Sequence, residues 1–163
     1  MHSDCSNSRR KPQKLKSPIN RTILALGLAL PVAVAVAAEF RTIGVNGTVL
    51  YDAPSIRGNK LFVATANYPV EIISTDGAWA RVRDVAGDLA WVERKALSER
   101  QSVLVSVPTV EARVQPDDRS VSAFQAVQGV VLEVVDASAP GWLRVRHRDG
   151  LTGYVRIREI WGQ

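Results

Sequence analysis

Two histidines and one cysteine bound the chemistry this sequence can do. His2 and Cys5 stand ahead of a long apolar stretch, so His147 is the one imidazole in everything that follows it. It sits in Arg146-His147-Arg148-Asp149-Gly150, the composition of a hairpin turn. Nucleophilic catalysis by a thiolate needs a cysteine beside a histidine, and no cysteine follows residue 5. A histidine-rich metal site lacks its second ligand, and a Ser-His-Asp set has a single candidate base in a solvated turn. Asp117 and Asp118 are adjacent carboxylates in a polar loop. Side by side they point apart, which suits capping the loop better than sharing a proton. No glycine-rich phosphate cradle is present. These residues read as a non-enzymatic protein with no catalytic residues, no cofactor and no metal site.

The chemistry that remains is aromatic and cationic. Trp142-Leu143-Arg144-Val145-Arg146 is followed by Gly150 and by Tyr154-Val155. Sixty-three residues earlier stands Trp79-Ala80-Arg81-Val82-Arg83, followed by Gly87 and Trp91-Val92. In a strand, alternate side chains share a face. Leu143 and Val145 then form a core face, as do Ala80 and Val82. Trp142, Arg144 and Arg146 are displayed on the other face, and so are Trp79, Arg81 and Arg83. There Trp142 is free to stack on Arg144, to pack on the other copy, or to hold a ligand.

The elements that must position these residues are short strands. In the first copy the pattern predicts strands at Thr48–Tyr51, Leu61–Ala64, Val70–Ile73, Trp79–Arg83 and Leu89–Val92. Turn residues separate them: Asp52 to Lys60, Asn67-Tyr68-Pro69, Thr75-Asp76-Gly77 and Asp84 to Asp88. Glu71, between apolar neighbours, reads as solvent-facing. One helical or 3₁₀ turn closes the copy at Glu93–Leu97. Glu39 to Asn46 reads as a lead-in. The second copy opens with a strand from Ser102 to Val107 and repeats the first at an offset of 62. The offset becomes 63 after Val135, where one hairpin loop is a residue longer. Trp161-Gly162-Gln163 reads as a short tail.

This skeleton resembles the bacterial SH3-like domains. The second copy carries their pattern in Pro116, Gly141-Trp142-Leu143-Arg144-Val145 and Gly150-x-x-Gly153-Tyr154-Val155. The first is eroded, with Ala78 and Ala90 where two of the glycines belong. The resemblance covers about 48–160, and the arrangement is similar to small exported tandem SH3-domain proteins of proteobacteria. It implies an all-β fold of two tandem small SH3-like β-barrels, over 39–101 and 102–163. It implies binding of the cell wall or of protein, in a family often joined to wall hydrolases. The expected ligand is a peptidoglycan peptide or an envelope protein. The expected groove is lined by Trp142, Tyr154 and the loop at Gln115–Ser120, with Arg144 and Trp79 as further contacts. The fuller glycine pattern points to the second copy as the binder.

Residues 1–38 read as an N-terminal signal peptide. A basic stretch from Arg9 to Arg21 precedes Thr22–Ala38, which is uncharged and rich in Ala, Leu and Val, with cleavage expected after Ala37 or Ala38. Seventeen residues interrupted by Pro31 are short for a spanning helix, which needs about 20. The expected location is periplasmic, with no stable membrane span after cleavage; an uncleaved leader would anchor the protein to the inner membrane instead. The leader also decides the charge argument. The chain carries a formal +5, but from Glu39 onward there are 15 basic and 15 acidic residues. Nucleic-acid binding needs a basic surface that neutralises phosphates, and the global balance supplies none. With no cysteine left after the leader, each small core must hold by packing. The two copies are expected to share an interface.

Overall fold

Alternation shapes the two halves alike. In Trp79–Arg83, Ala80 and Val82 are buried and both arginines exposed; in Trp142–Arg146, Leu143 and Val145 are buried and both arginines exposed. The computed structural model describes residues 38–163. The signal-peptide expectation therefore lies outside the described residues, except at Ala38.

Among the described residues fourteen strands form two seven-stranded antiparallel sheets. The first holds β1 (Glu39–Ile43), β2 (Thr48–Tyr51), β3 (Lys60–Ala64), β4 (Pro69–Asp76), β5 (Trp79–Arg83), β6 (Leu89–Glu93) and β7 (Leu97–Ser98), in the order β3-β2-β6-β5-β4-β1-β7. The second holds β8 (Ser102–Val105), β9 (Thr109–Arg113), β10 (Ser122–Val127), β11 (Val131–Asp136), β12 (Trp142–Arg146), β13 (Thr152–Arg156) and β14 (Ile160–Trp161), in the order β10-β9-β13-β12-β11-β8-β14. The two orders are one order, so the duplication extends to topology. Single 3₁₀ turns, Arg94–Ala96 and Ile157–Glu159, sit at matching places. The glycine eight residues after each tryptophan also has a backbone cause: Gly87 and Gly150 turn with φ of 92° and 94°, where a side chain is strained.

Each sheet has its own core. Ile43, Val70, Val82 and Val92 are at the centre of the first; Val103, Val110, Leu132, Val145 and Val155 are at the centre of the second. The second is the fuller, because Ala126 of β10 is buried in it while the equivalent Ala64 of β3 only packs against the edge of the first.

Four sequence expectations are corrected. Residues 39–43 are a strand, not a lead-in, because β1 pairs with both β4 and β7. The opening strand of the second copy stops at Val105, ahead of Pro108, which has no N–H to extend a ladder. Glu71 keeps the outer face opposite Arg83 but is covered there rather than open to solvent: its side chain is only 12% exposed and accepts hydrogen bonds from Arg83 Nε and Nη2 at 2.8 and 2.6 Å. Ile73, left without a ladder partner where the β4–β5 register shifts between Ile72 and Ser74, is exposed, as is the rest of the strand after it. Val135 is turned outward by the same shift in β11. A bulge of this kind breaks the period-two rule by one residue.

The fourth correction is the supposed tail. Trp161 belongs to β14, and its ring meets Phe40 of β1 edge to face, with centroids 5.2 Å apart. Gly162 lies against Pro69, where a Cβ would come within 2.9 Å of the proline Cβ. Beside it, Ser102 Oγ donates to the Asn67 carbonyl at 2.6 Å and lies 2.9 Å from Thr42 Oγ1, both hydroxyls being buried. These contacts join the first repeat to the second, so the copies do share an interface.

Candidate functional site

Register decides which side chains meet on the outer face of the second repeat. Trp142 pairs across the ladder with Arg156, Arg144 with Tyr154, and Tyr154 with Arg113. Directly paired residues share a face, so Trp142, Arg144, Tyr154, Arg156 and Arg113 lie together there. The Arg156 guanidinium stands 4.4 Å over the Trp142 ring. Its Nε donates to Asp118 Oδ1 at 2.8 Å, and its Nη2 meets the other Asp118 oxygen. The hydrogen bond to Arg156 holds the Asp118 carboxyl below its usual range and pushes the Arg156 guanidinium up. This bidentate clamp pins loop 114–121 to the strand face.

Trp142 is therefore covered, at 7% exposure, rather than displayed, and its cation is Arg156, not Arg144. The reason is distance: residues two apart on a strand are separated by nearly 7 Å, while the ladder partner is directly alongside. Tyr154 is half-buried and Arg144 exposed in the next cross-strand row. Gln115 is exposed, and its backbone N–H bonds Ser120 Oγ at 3.0 Å. The loop thus reaches the face through Asp118. Asp117 caps the loop as expected, accepting the Arg119 N–H at 2.9 Å. Comparing the copies contained a signal for the missed pair: where the second has Asp118 and Arg156, the first has Ile56 and Glu93.

The first repeat builds the same face from aromatics. Trp79 pairs with Glu93, Arg81 with Trp91, and Trp91 with Tyr51. Tyr51 packs edge to face on the half-buried Trp79 at 5.6 Å.

His147 is in the expected turn, closed by the Gly150 N–H on the His147 carbonyl at 2.9 Å. Its Nδ1 lies 2.9 Å from Asp149 Oδ1 and its ring 5.9 Å from that of Phe124. The Leu151 N–H and then His147 lower the Asp149 carboxyl. Among the described residues no group of three or more His, Cys, Asp and Glu is placed to hold a metal ion, and no helix is long and apolar enough to cross a membrane.

A concave site lies elsewhere, in the first repeat. A cleft of about 310 Å³ opens between β3, β6 and the β5–β6 turn, with Phe62, Tyr68 and Ala90 in its walls and Asp84 and Asp88 at its rim.

Residues 106–162 match a bacterial SH3 domain, and residues 46–98 match a second bacterial SH3 domain of a different type. No curated protein matches the chain. Among solved structures, NlpC2 from Trichomonas vaginalis is 17% identical with a TM-score of 0.36, over 78% of this chain and 49% of that one. NlpC1 from Trichomonas vaginalis is 16% identical with a TM-score of 0.35, over 85% and 51%. An NlpC/P60 family protein from Bacillus cereus is 15% identical with a TM-score of 0.33, over 76% and 56%. The chain thus spans about half the length of these proteins.

Proposed function

Because the chain carries two bacterial SH3 domains in tandem, we propose that it is a non-enzymatic, exported binding module of the cell envelope that recognises a peptidoglycan peptide or an envelope protein. The domains are small barrels occupying 39–101 and 102–163, and the leader of residues 1–38 directs export to the periplasm. The observation that carries the reading is the cross-strand row Arg144–Tyr154–Arg113 on the second repeat. Arg113 is held by the Ser120 carbonyl at 2.8 Å and by Glu111. Arg144 is exposed beside the tyrosine ring. A guanidinium fork next to an aromatic face suits a peptide carrying a carboxylate, which is the chemistry of a wall stem peptide. Trp142 and the Asp118–Arg156 clamp serve as the rigid floor beside that row.

The test is co-sedimentation of the protein with purified sacculi at low salt. Pelleting is expected, with Arg144→Ala and Tyr154→Ala each weakening it roughly fivefold or more while the fold is kept. Absence of pelleting sinks wall recognition. Trp142→Ala is a poor probe, because removing a covered tryptophan damages the core as well.

A second reading is favoured by the Phe40–Trp161 seam. Repeats docked on each other form a rigid double module, which suits an adaptor that holds a partner chain. Crosslinking in cells tests it: a monomer with no crosslinked partner argues against an adaptor.

A further inference from the structure

Two substitutions between the repeats bear on a concave site in the first. In the second repeat Gly153 is packed so closely that a Cβ there would come within 2.9 Å of Ala112 Cβ, 3.1 Å of the Arg113 carbonyl oxygen and 3.2 Å of Ala123 Cβ. The first repeat places Ala90 at the equivalent of Gly153 and Leu50 at the equivalent of Ala112. β2 pairs with β6 in the register in which β9 pairs with β13, but with both residues larger β3 does not close over β6 as β10 closes over β13. The exposure agrees: Lys60 to Val63 of β3 are all exposed, Phe62 at 44% and Val63 at 69%, whereas Ala123 and Phe124 of β10 are half-buried and Ala126 is buried.

The gap is the cleft of about 310 Å³, walled by Leu50, Phe62, Ala64, Tyr68, Val82 and Ala90. Its size is at the low end for ligand pockets and suits one bulky side chain. Asp84 and Asp88 line its rim, and no Lys or Arg does. Asp84 Oδ1 accepts the N–H groups of Ala86 and Asp88, each at 2.9 Å, so the rim turn is fixed. Burial and then the Asp84 charge push the Tyr68 hydroxyl's pKa up, so the carboxylate acts on the cleft wall. In the second repeat His147 and Leu151 replace the two aspartates, and the His147 ring lies against Phe124. Among the described residues β3 is also an edge strand, paired only with β2. Its other edge presents unpaired N–H and C=O groups to an incoming strand.

We propose that the first repeat docks an extended peptide segment of another protein: its backbone adds to the free edge of β3, one bulky apolar side chain fills the cleft, and an adjacent Lys or Arg meets Asp84 and Asp88. The anionic rim selects the cation and the apolar walls select its neighbour. This site is separate from the outer face of the second repeat, and its ligand carries the opposite charge.

The experiment is NMR titration of the full chain with two probe peptides, acetyl-Thr-Lys-Phe-Lys-Thr-amide and acetyl-Thr-Glu-Phe-Glu-Thr-amide. The lysine peptide is expected to shift the signals of Phe62, Ala64 and Ala90 and to leave Phe124 and Ala126 unmoved; the glutamate peptide is expected to shift neither set. Replacing both Asp84 and Asp88 with Asn should weaken the lysine peptide about tenfold, roughly threefold per exposed ion pair. The proposal is overturned by equal response to the two peptides, by no response up to about 1 mM, or by shifts confined to the second repeat. It is equally overturned if the cleft signals move with protein concentration alone, which would make a second copy the occupant. None of these readouts depends on sacculi, so this site and the second-repeat reading fail separately.

Discussion

Phe40 and Trp161 meet edge to face with their rings at 87° and 5.2 Å apart, and they belong to different repeats. Edge-to-face pairs contribute about 0.5–1.5 kcal/mol beyond the area they bury. Each repeat alone is small enough to be marginal. The protein is therefore expected to unfold in one calorimetric transition. Trp161→Ala should cost about 2–3 kcal/mol and separate the melting of the two sheets. Two well-resolved transitions in the unaltered protein would show that the seam does not couple them.

The hydroxyl pair in the same seam has a defined direction. The Asn67 carbonyl only accepts, so Ser102 donates to it and Thr42 donates to Ser102. Ser102→Ala strands a buried donor and a carbonyl and should cost about 1–3 kcal/mol. Thr42→Val leaves the Ser102–Asn67 bond intact and should cost about 1 kcal/mol or less. Urea melts of the two variants decide it, and equal losses would contradict the direction.

Asp118 makes a pH prediction. Its folded pKa is lowered from 3.8, chiefly by the hydrogen bond from Arg156. A depressed carboxyl contributes stability above its unfolded pKa and loses it as pH falls through the folded value. The Trp142 indole N–H signal should thus be steady from neutral pH down to about pH 4.5 and move only in stronger acid. In Asp118→Ala that acid-dependent movement should disappear, and in Arg156→Ala the Trp142 ring should become accessible to a fluorescence quencher. A Trp142 signal that titrates identically in Asp118→Ala would rule out the clamp as its cause.

The glycine comparison is testable in both directions. Gly153→Ala introduces a 2.9 Å contact with Ala112 Cβ and should cost about 1–3 kcal/mol. Hydrogen exchange in β10 should quicken about tenfold or more as that strand lifts. Ala90→Gly in the first repeat should slow exchange in β3 as it settles. Unchanged exchange in both strands would separate these residues from the cleft.

Much of the architecture was legible before any coordinates. Ala80, Val82, Leu143 and Val145 are buried because period-two geometry is local to each strand. Gly87 and Gly150 mark turns because their positive φ is a local demand. The 3₁₀ turn at Arg94–Ala96 was readable on the same footing, and the two bacterial SH3 domains through the resemblance that the tryptophan and glycine spacing carries. The readings that failed were the ones that needed a partner. Nothing within 39–43 announces that β4 and β7 flank it, and Trp161-Gly162 looks like a tail until Phe40 and Pro69 are beside it. Glu71 is covered because Arg83 is its ladder partner, which β4 by itself does not announce.

The sequence by itself determined the duplication, the strand periods, the inward faces of β5 and β12, and that His147 is the one histidine and no cysteine stands after residue 38. Only the tertiary structure decided that Arg156 covers Trp142, that the repeats meet through Phe40, Trp161, Thr42 and Ser102, and that Ala90 lines a cleft while Gly153 is closely packed. The reason is physical. Backbone geometry propagates from residue to residue along one strand, so it can be read in order. Which side chains touch depends on register and sheet order, which bring together residues such as Asp118 and Arg156 from far apart in the chain.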